Sequence, residues 1–261
     1  MIYFPQLGSG ATGQFPIRRR RITRTVQNRS IEGQSFKLVD AGAAITEWHL
    51  SYEDLSDQEL AAIESLFQAC EGRLGAFTFI DPTDNLLTWS ESQNQAAWQK
   101  DPLLVVSGNI AGPLSGAGAF QITNTGAALQ ALQQYAAVPS SLVYCFSVYA
   151  RSDASSRLWL IRGSVSESVP IGPDWTRIST SGQWQNANGS IGFGMAIDPG
   201  SSIQIFGCQA EAQPGASPYR KTSNLGGVYQ NARFRDDVLR ITTVGPNRHN
   251  CELDIVNVEH L

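Results

Sequence analysis

One capped helix between two strand patterns constrains this chain more than any other feature. Ser56 is followed three residues later by Glu59, which is the spacing of a capping box. Leu55 and Leu60 can form the hydrophobic staple that often accompanies such a box. Apolar residues then recur at helical spacing in one stripe made of Leu60, Ile63, Leu66, Phe67 and Cys70. Gly72 is expected to supply the left-handed stop, so the pattern predicts one amphipathic helix with a marked start and end.

Strand patterns flank this helix on both sides. Before it, apolar and polar residues alternate, which places Thr46, Trp48, Leu50 and Tyr52 on one face of a half-buried strand. After it, residues 76–80 form a short apolar strand that Asp81 and Pro82 close. Residues 1–44 are polar and rich in Gly and Arg, which suits extended strands and an arm.

The strands that should complete this sheet come much later in the chain. Residues 238–244 are strand-like, and Cys251, Leu253 and Ile255 alternate with mainly polar neighbours. Two strands of this length cannot bury a core alone, so they need the sheet begun before residue 82. We therefore expect a discontinuous domain of residues 1–83 and 224–261, with residues 84–223 inserted at an exposed loop.

The inserted residues have the sequence pattern of a β-sandwich. Short strands, such as 142–150 and 157–162, alternate with turn clusters at the spacing of a sandwich. Residues 127–136 have high helix propensity, but their setting between strand-like segments favours a strand. The predicted fold class is mainly β with one prominent helix, in which a small α+β domain is interrupted by a β-sandwich.

The first domain resembles the ring-forming domain of siphophage distal tail and minor tail proteins, including those of lambda-like phages and gene transfer agents. The resemblance rests on residues 48–52, the capped helix and residues 75–82, with closing strands at 228–234 and 238–258. It implies a hexameric ring at the virion tail tip, assembled in the bacterial cytoplasm as part of the baseplate. The implied partners are further copies of the chain, the tail tube protein, a hub protein and the tape-measure protein.

The inserted segment resembles the carbohydrate-binding-module-like jelly rolls that are common in phage tail proteins. Four stretches carry this resemblance, and in chain order they are residues 85–91, 96–100, 146–151 and 209–219. The resemblance implies an outward module that binds host surface glycan. Jelly rolls of this kind can hold a structural calcium, although the sequence names no ligand set for one. After residue 219 the chain continues into a segment typical of a return linker.

An arginine-rich stretch is the main charge feature of a chain whose net charge is −4. It contains Arg18, Arg19, Arg20, Arg21 and Arg24. Such a run can be a phosphate-binding patch or an arm that contacts an acidic neighbour. The arm is favoured because Ile17, Ile22 and Val26 interleave with the arginines and no aromatic stacking platform accompanies them. We therefore expect a subunit-interface arm and no specific nucleic-acid binding.

Membrane and redox signals are weak in this sequence. No window approaches the ~20 apolar residues that a membrane helix needs, and the first residues do not have the pattern of a secretory signal. The four cysteines are far apart in sequence and form no CxxC motif. They are typical of buried free thiols in a protein made in a reducing cytoplasm.

Motifs for catalysis are missing as well. The three histidines have no metal-ligand spacing, and GxSxG, P-loop and dinucleotide-binding patterns do not occur. A pair of carboxylates could serve a glycosidase, and the inserted segment offers Asp153, Glu167, Asp174, Asp198 and Glu211. Such pairs cannot be recognised in sequence, and modules of this kind usually bind without cleaving. We expect a protein that is not an enzyme, with no catalytic residues, no cofactor and no metal site.

Aromatic side chains are the expected platforms for sugar, because their faces match the CH groups of pyranose rings. The candidates are Trp184, Trp159 and Tyr135. Trp184 lies in a polar stretch, whereas Trp159 lies in an apolar strand and can equally be a core residue. Trp89, Trp98 and Trp175 are expected in the core. A stand-alone glycan-binding adsorption protein, or a cell-wall polysaccharide hydrolase, are the alternatives to a tail-tip structural protein.

Overall fold

The computed structural model describes residues 2–114, 117–184 and 189–258 of the chain. It is mainly β, with one helix among the described residues. In chain order the elements are β1 (Arg18–Arg29), β2 (Ser35–Leu55), α1 (Asp57–Ala69), β3 (Phe77–Ile80), β4 (Gln99–Lys100), β5 (Leu104–Ala111), β6 (Ala117–Asn124), β7 (Gln130–Ala136), β8 (Val143–Arg151), β9 (Ser156–Arg162), β10 (Val165–Ile171), β11 (Thr176–Gln183), β12 (Ile191–Ile197), β13 (Ser202–Glu211), β14 (Val228–Phe234), β15 (Arg240–Gly245) and β16 (Arg248–Val258).

These elements form two compact units. Unit 1 consists of Met1–Phe79 with Tyr229–Leu261, and unit 2 consists of Ile80–Val228. Unit 2 is therefore one continuous segment within the sequence of unit 1. No helix in the described residues is long and apolar enough to cross a bilayer.

Unit 1 consists of one sheet with one helix packed on one of its faces. The strand order is β1-β2-β16-β14-β3, and β15 forms a hairpin with residues 248–252 of β16, on the edge that β14 occupies further along. The alternation predicted from residue 46 onwards is confirmed, because Trp48, Leu50 and Tyr52 are at most 1% exposed. Side chains of α1 pack on this face, and Phe67 lies 5.0 Å from Phe234 between ring centroids. The helix and the late strands thus bury one shared core.

The two ends of α1 follow from local chemistry. The predicted capping box is confirmed, since the Ser56 hydroxyl accepts from the Glu59 amide (3.3 Å) and Glu59 Oε2 accepts from the Ser56 amide (2.9 Å). The prediction for the C-terminal stop was incomplete. Glu71 already has a left-handed φ of 50°, and Gly72 (φ 65°) donates its N–H to the carbonyl of Phe67. The Glu71 N–H donates in turn to the carbonyl of Gln68 (3.0 Å). The two bonds form a Schellman motif in which the left-handed region begins one residue before the glycine.

The long hairpin β1–β2 reaches beyond the core of unit 1. The strand predicted from Thr46 begins at Ser35, because residues 35–40 pair with Arg24–Arg29 rather than with the rest of the sheet. A register shift between Ile22 and Arg24 separates this part from the remainder of the hairpin. We call residues 24–40 the distal arm.

Unit 2 is a β-sandwich of two five-stranded sheets. One sheet has the order β10-β9-β12-β7-β4 and the other has the order β11-β8-β13-β6-β5. Residues 130–136 form β7, which confirms the strand interpretation of the segment with high helix propensity. Side chains of both sheets interdigitate in the core, where Tyr144 and Phe193 lie 5.6 Å apart between ring centroids. Trp98 is buried as predicted, but Trp89 and Trp175 are only half-buried, and the Arg151 guanidinium covers the ring of Trp175.

Candidate functional site

The outer face of the β10-β9-β12-β7-β4 sheet brings two of the three predicted sugar-binding residues together. On β7, Leu132 and Gln134 are buried, so Gln133 and Tyr135 point outward. On β9, Leu158 and Leu160 are fully buried, so Trp159 points outward. Tyr135 is 53% exposed and Trp159 is half-buried. Both rings therefore lie on the face of this sheet that does not pack in the core.

The strand between them, β12, presents only small side chains on that face. Its register places Gly192 opposite Tyr135, Gly194 opposite Gln133 and Ala196 opposite Trp159. The alternating residues of β12 are large and fill the core, with Phe193 and Met195 unexposed. These three positions are low between larger side chains, but all three are buried, because the side chains of Gln133 and Tyr135 lean over the two glycines. We call this surface the groove, and its sides are Gln133 and Tyr135 from β7 and Trp159 and Ile161 from β9.

Close packing explains why the floor is glycine. A Cβ atom at Gly194 would lie 2.1 Å from the carbonyl oxygen of Leu132, which is backbone and cannot move aside. A Cβ atom at Gly192 would lie 3.0 Å from Cε1 of Tyr135, so the tyrosine ring leans over this glycine. A glycine within a strand often marks such a close approach. The positions of the two glycines therefore fix both the depth of the groove and the place of the Tyr135 ring.

The third predicted residue, Trp184, lies at the end of the groove nearest Tyr135. Its indole packs against Gly163, where a Cβ atom would lie 2.7 Å from the ring. The Gly163 N–H donates to the carbonyl of Gly192 (2.7 Å), and Gly192 pairs with Tyr135. Trp184 is therefore packed against a glycine whose N–H is bonded to the glycine that pairs with Tyr135. Residues 185–188, which complete the polar stretch around Trp184, lie outside the described residues.

A buried arginine positions this end of the groove. Arg162 points into the sandwich and donates to the carbonyls of Gln183 (3.0 Å) and Ser181 (3.2 Å) on β11. Burial lowers the pKa of the Arg162 guanidinium, and the Glu167 carboxylate 3.8 Å away acts in the opposite direction. Because Trp184 follows Gln183 directly, these bonds hold the backbone from which the indole reaches Gly163.

Trp159 marks the other end of the groove. Trp159 pairs with Ala196 on β12, and Tyr135 pairs with Gly192, which is four residues away on the same strand. The two aromatic residues are therefore separated by two strand spacings across the sheet and by four residues along it. Strand spacing and rise put the two Cα atoms about 16 Å apart. That distance fits an extended chain of several sugar units and exceeds a single pyranose ring.

The predicted carboxylates are spread over separate elements of unit 2. Asp198 follows β12 and accepts from the Trp159 indole, whereas Glu211 ends β13, is 3% exposed and accepts from the Ser217 amide (3.1 Å). Glu167 lies on β10, and Asp153 and Asp174 lie in loops. No group of three or more His, Cys, Asp or Glu that could hold a metal occurs in the described residues. A structural calcium therefore stays a prediction without named ligands.

The predicted arginine arm lies on β1. Arg20 pairs across the strands with Glu47 (Nε to Oε2, 3.0 Å), and Arg24 pairs with Asp40 (Nε to Oδ2, 2.7 Å). Arg19 donates to the Tyr229 hydroxyl (2.9 Å) and covers the Trp48 ring, while Arg18 and Arg21 are exposed. Arg20 and Arg24 thus have acidic partners within the hairpin itself.

Sequence reasoning missed the floor of the groove and its polar wall. Gly192, Gly194 and Gln133 form no motif, because their positions matter only through the pairing of β12 with β7. A usable signal was present in residues 191–197, where small and large residues alternate (IGFGMAI). That alternation indicates a strand with one filled face and one bare face.

No family model matches the chain, and no curated protein matches it. Among solved structures, it is similar to the CBM22-1 xylan-binding domain of Paenibacillus barcinonensis Xyn10C, at 14% identity and a TM-score of 0.41 over 51% of this chain and 97% of that chain. It is also similar to TmCBM61 in complex with β-1,4-galactotriose, at 13% identity and a TM-score of 0.36 over 48% and 97% of the two chains. A third similarity is to the enzymatically active domain of tailspike protein 4 of bacteriophage CBA120, at 12% identity and a TM-score of 0.39 over 51% of this chain. The chain spans 22% of the length of that tailspike chain. These similarities concern the fold.

Proposed function

We propose that this chain is a structural protein that assembles with copies of itself through the β1–β2 hairpin and presents unit 2 as a glycan-binding module. The observation that carries the assembly role is the distal arm, which forms strands but contributes to no core. Its residues are exposed on both strands, with Val39 81% exposed and Phe36 54% exposed. A two-stranded ribbon of this kind is marginally stable in water, so a binding partner is needed to order it.

One face of the distal arm is suited to that partner. Val26 pairs with Leu38, and Phe36 lies two residues further along the same face, so the three form an exposed apolar strip. Exposed apolar strips on sheet surfaces mark interaction sites. Burial of this strip between neighbouring chains would supply the core that the distal arm lacks.

Charge supports a second copy of this chain as the partner. Residues 18–40 contain seven basic and two acidic side chains, whereas the whole chain has a net charge of −4. The remaining residues therefore carry a net charge of −9, opposite in sign to residues 18–40. Complementary charge favours docking of this segment onto the body of a neighbour, and repeated docking of this head-to-tail kind gives a ring when the rotation between copies closes.

The sequence resemblance supplies the setting for this assembly. In the proposal, unit 1 forms a hexameric ring at the tail tip of a phage, prophage or gene transfer agent particle. The ring lies between the tail tube protein and the hub protein and surrounds the tape-measure protein. The chain is assembled in the bacterial cytoplasm, needs no cofactor and catalyses no reaction.

Analytical ultracentrifugation tests the assembly role. The full chain should sediment as a species of several copies, and replacing Val26, Phe36 and Leu38 by Thr should yield monomer. Thr keeps β propensity, so the hairpin can still form. The matched control replaces Gln27, whose side chain lies on the opposite face, by Thr and should assemble like the parent chain. A monomeric parent chain at every concentration would refute the assembly role.

Glycan binding by unit 2 rests on a separate observation, the groove. Its floor of small residues, its two aromatic ends and its amide wall are features with which proteins hold extended sugar chains. Calorimetry with xylohexaose, β-1,4-galactotriose and host cell-wall polysaccharide tests it, with Trp159→Ala and Tyr135→Ala expected to lose binding. No binding to any of these, or to host envelopes, would refute this role.

Oligomeric state, glycan binding and a reducing-end assay together separate the alternatives. A monomer that binds glycan would be a stand-alone adsorption protein. Release of reducing ends from the bound polysaccharide would identify a hydrolase and contradict the non-enzymatic role.

A further inference from the structure

A polar cavity lies in unit 2 beyond the Trp159 end of the groove. It has a volume of about 490 Å³, within the range of small-molecule sites. It lies among the β8–β9 loop, the turn after β12 and the outward face of the other sheet. Its principal polar lining residues are Ser152, Asp153, Ser156, Gln121, Ser202 and Gln204. We call this cavity the serine basin.

The serine basin lies at the end of the sandwich beyond Trp159, where residues of both sheets line it. Gln121 and Gln204, which pair on β6 and β13, are half-buried and point away from the core. Ser156 begins β9 three residues before Trp159, and Pro199 follows Asp198, which accepts from the Trp159 indole. The serine basin is therefore next to the Trp159 end of the groove and separate from its Tyr135 end.

The polar groups of the serine basin are held in place before any ligand arrives. The Ser202 hydroxyl accepts from the Gln121 amide (2.7 Å), and the Ser152 hydroxyl donates to the Ser202 carbonyl (3.0 Å). The turn is closed by buried Asn124, which exchanges backbone hydrogen bonds with Gly200 (3.1 Å) and Ser201 (3.0 Å). A site that is already ordered loses less entropy on binding.

The chemistry of the lining selects the class of ligand. The described residues that line the serine basin include no Lys, Arg, His or aromatic side chain. Serine hydroxyls and glutamine amides both donate and accept hydrogen bonds, which matches the hydroxyls of a neutral sugar. Asp153 is its one carboxylate, too few for the oxygen cage of a divalent cation. None of its lining side chains is cationic, and the Arg151 guanidinium beside it donates to Oε1 of Gln204 (2.8 Å).

We propose that the serine basin is a second saccharide site, which takes a single neutral sugar unit such as a chain end. It extends the proposed glycan role of unit 2 from one site to two. A module that holds a chain along the groove and a chain end in the serine basin can cross-link neighbouring glycans. Two weak sites of this kind give much tighter attachment to a glycan-coated surface than either site alone.

Nuclear magnetic resonance titration of the full chain with glucose, galactose, xylose and N-acetylglucosamine tests the proposal. At least one sugar should shift the amides of residues 152–156 and 199–202 saturably. Ala154→Trp, which fills the serine basin without removing a hydrogen-bonding side chain, and Gln204→Ala should each weaken this binding at least about tenfold. Gln68→Ala on the exposed side of α1 is the matched control and should leave it unchanged.

Tyr135→Ala, at the end of the groove far from the serine basin, distinguishes the two sites. It should abolish oligosaccharide binding in the groove and leave the shifts at 152–156 and 199–202 intact. The proposal is overturned if none of the four sugars shifts these loops, if phosphate or Ca²⁺ alone reproduces the shifts, or if Ala154→Trp binds like the parent chain. Loss of groove binding with intact shifts at the serine basin would overturn only the function proposed for the groove.

Discussion

The indole Nε1–H of Trp159 donates a hydrogen bond of 3.1 Å to Oδ1 of Asp198. Trp159 pairs with Ala196, and Asp198 is two residues further along, so both side chains lie on the outer face of the sheet. The bond satisfies the polar edge of the ring and sets its plane. Asp198 is therefore a positioning residue for the Trp159 end of the groove.

Asp198→Ala should weaken glycan binding about tenfold, which corresponds to about 1.4 kcal/mol, because the indole loses its fixed plane. Calorimetry with the oligosaccharide that the parent chain binds measures this. Asp198→Asn keeps an acceptor oxygen at the same place and should retain most of the affinity. Equal losses in the Ala and Asn variants would show that the negative charge of Asp198 acts on the ligand directly.

The two glycines of the groove floor should respond differently to alanine. Gly194→Ala forces a Cβ atom against the Leu132 carbonyl, and overpacking of this kind should cost about 1–3 kcal/mol of unfolding free energy. Gly192→Ala meets only side-chain atoms of Gln133 and Tyr135, which can move. It should fold nearly as well as the parent chain but bind glycan more weakly, because the Tyr135 ring is displaced.

Thermal denaturation and calorimetry on both glycine variants check this contrast. A stable Gly194→Ala variant would contradict the packing described for the floor. A Gly192→Ala variant with unchanged glycan affinity would show that the position of the Tyr135 ring does not matter for binding in the groove.

The helix was predictable from sequence because its signals are local. Ser56 and Glu59 are three residues apart, and their reciprocal hydrogen bonds need only one turn of helix to form. The alternation around Trp48 was equally readable, because one face of that strand is buried throughout. Glu71 was missed as the first left-handed residue because the nearby glycine is the more usual choice.

The remaining features depend on contacts between distant residues. The early start of β2 at Ser35 follows from its pairing with β1 and not from any apolar alternation. The groove depends on the register of β12 against β7 and β9, so the sequence alone does not show which side chains border Gly192 and Gly194. Tyr135 and Trp159 could be proposed as aromatic candidates, but their shared face could not be derived from their spacing.

Acid should remove the stabilisation that the capping box provides. The Ser56 hydroxyl, followed by the Ser56 and Gly8 amides, donates to the Glu59 carboxylate and lowers its pKa, although burial acts in the opposite direction. The pKa of Glu59 is therefore lower in the folded chain than in the unfolded chain. The ionised carboxylate contributes its full stabilisation above about pH 4.3 to 5, and this stabilisation declines as the pH falls through the folded-state pKa. The stability difference between the parent chain and Glu59→Gln should therefore shrink in acid.

Urea denaturation between about pH 3 and pH 7 measures this difference. Glu53→Gln, at an exposed carboxylate just before the helix, is the matched control and should show a smaller pH dependence. A difference for Glu59→Gln that grows as the pH falls would contradict the sign of the shift.

The four cysteines should react slowly in the folded protein. All four are free and buried, which confirms the sequence prediction. Burial raises the pKa of Cys208 to about 12 and that of Cys145 and Cys251 to about 11, and it raises the pKa of Cys70 as well. Since the thiolate is the reactive form, Ellman's reagent at neutral pH should label the native chain far more slowly than the unfolded chain. Rapid labelling of native protein would contradict this burial.

Electron microscopy of tail particles tests the central claim most directly. Gold-labelled antibody against this chain should mark a ring at the distal end of the tail tube, and particles carrying the Val26, Phe36 and Leu38 to Thr variant should lack that ring. Label that is absent from tail tips, or a tip ring that persists in the variant, would contradict an assembly held together by the distal arm.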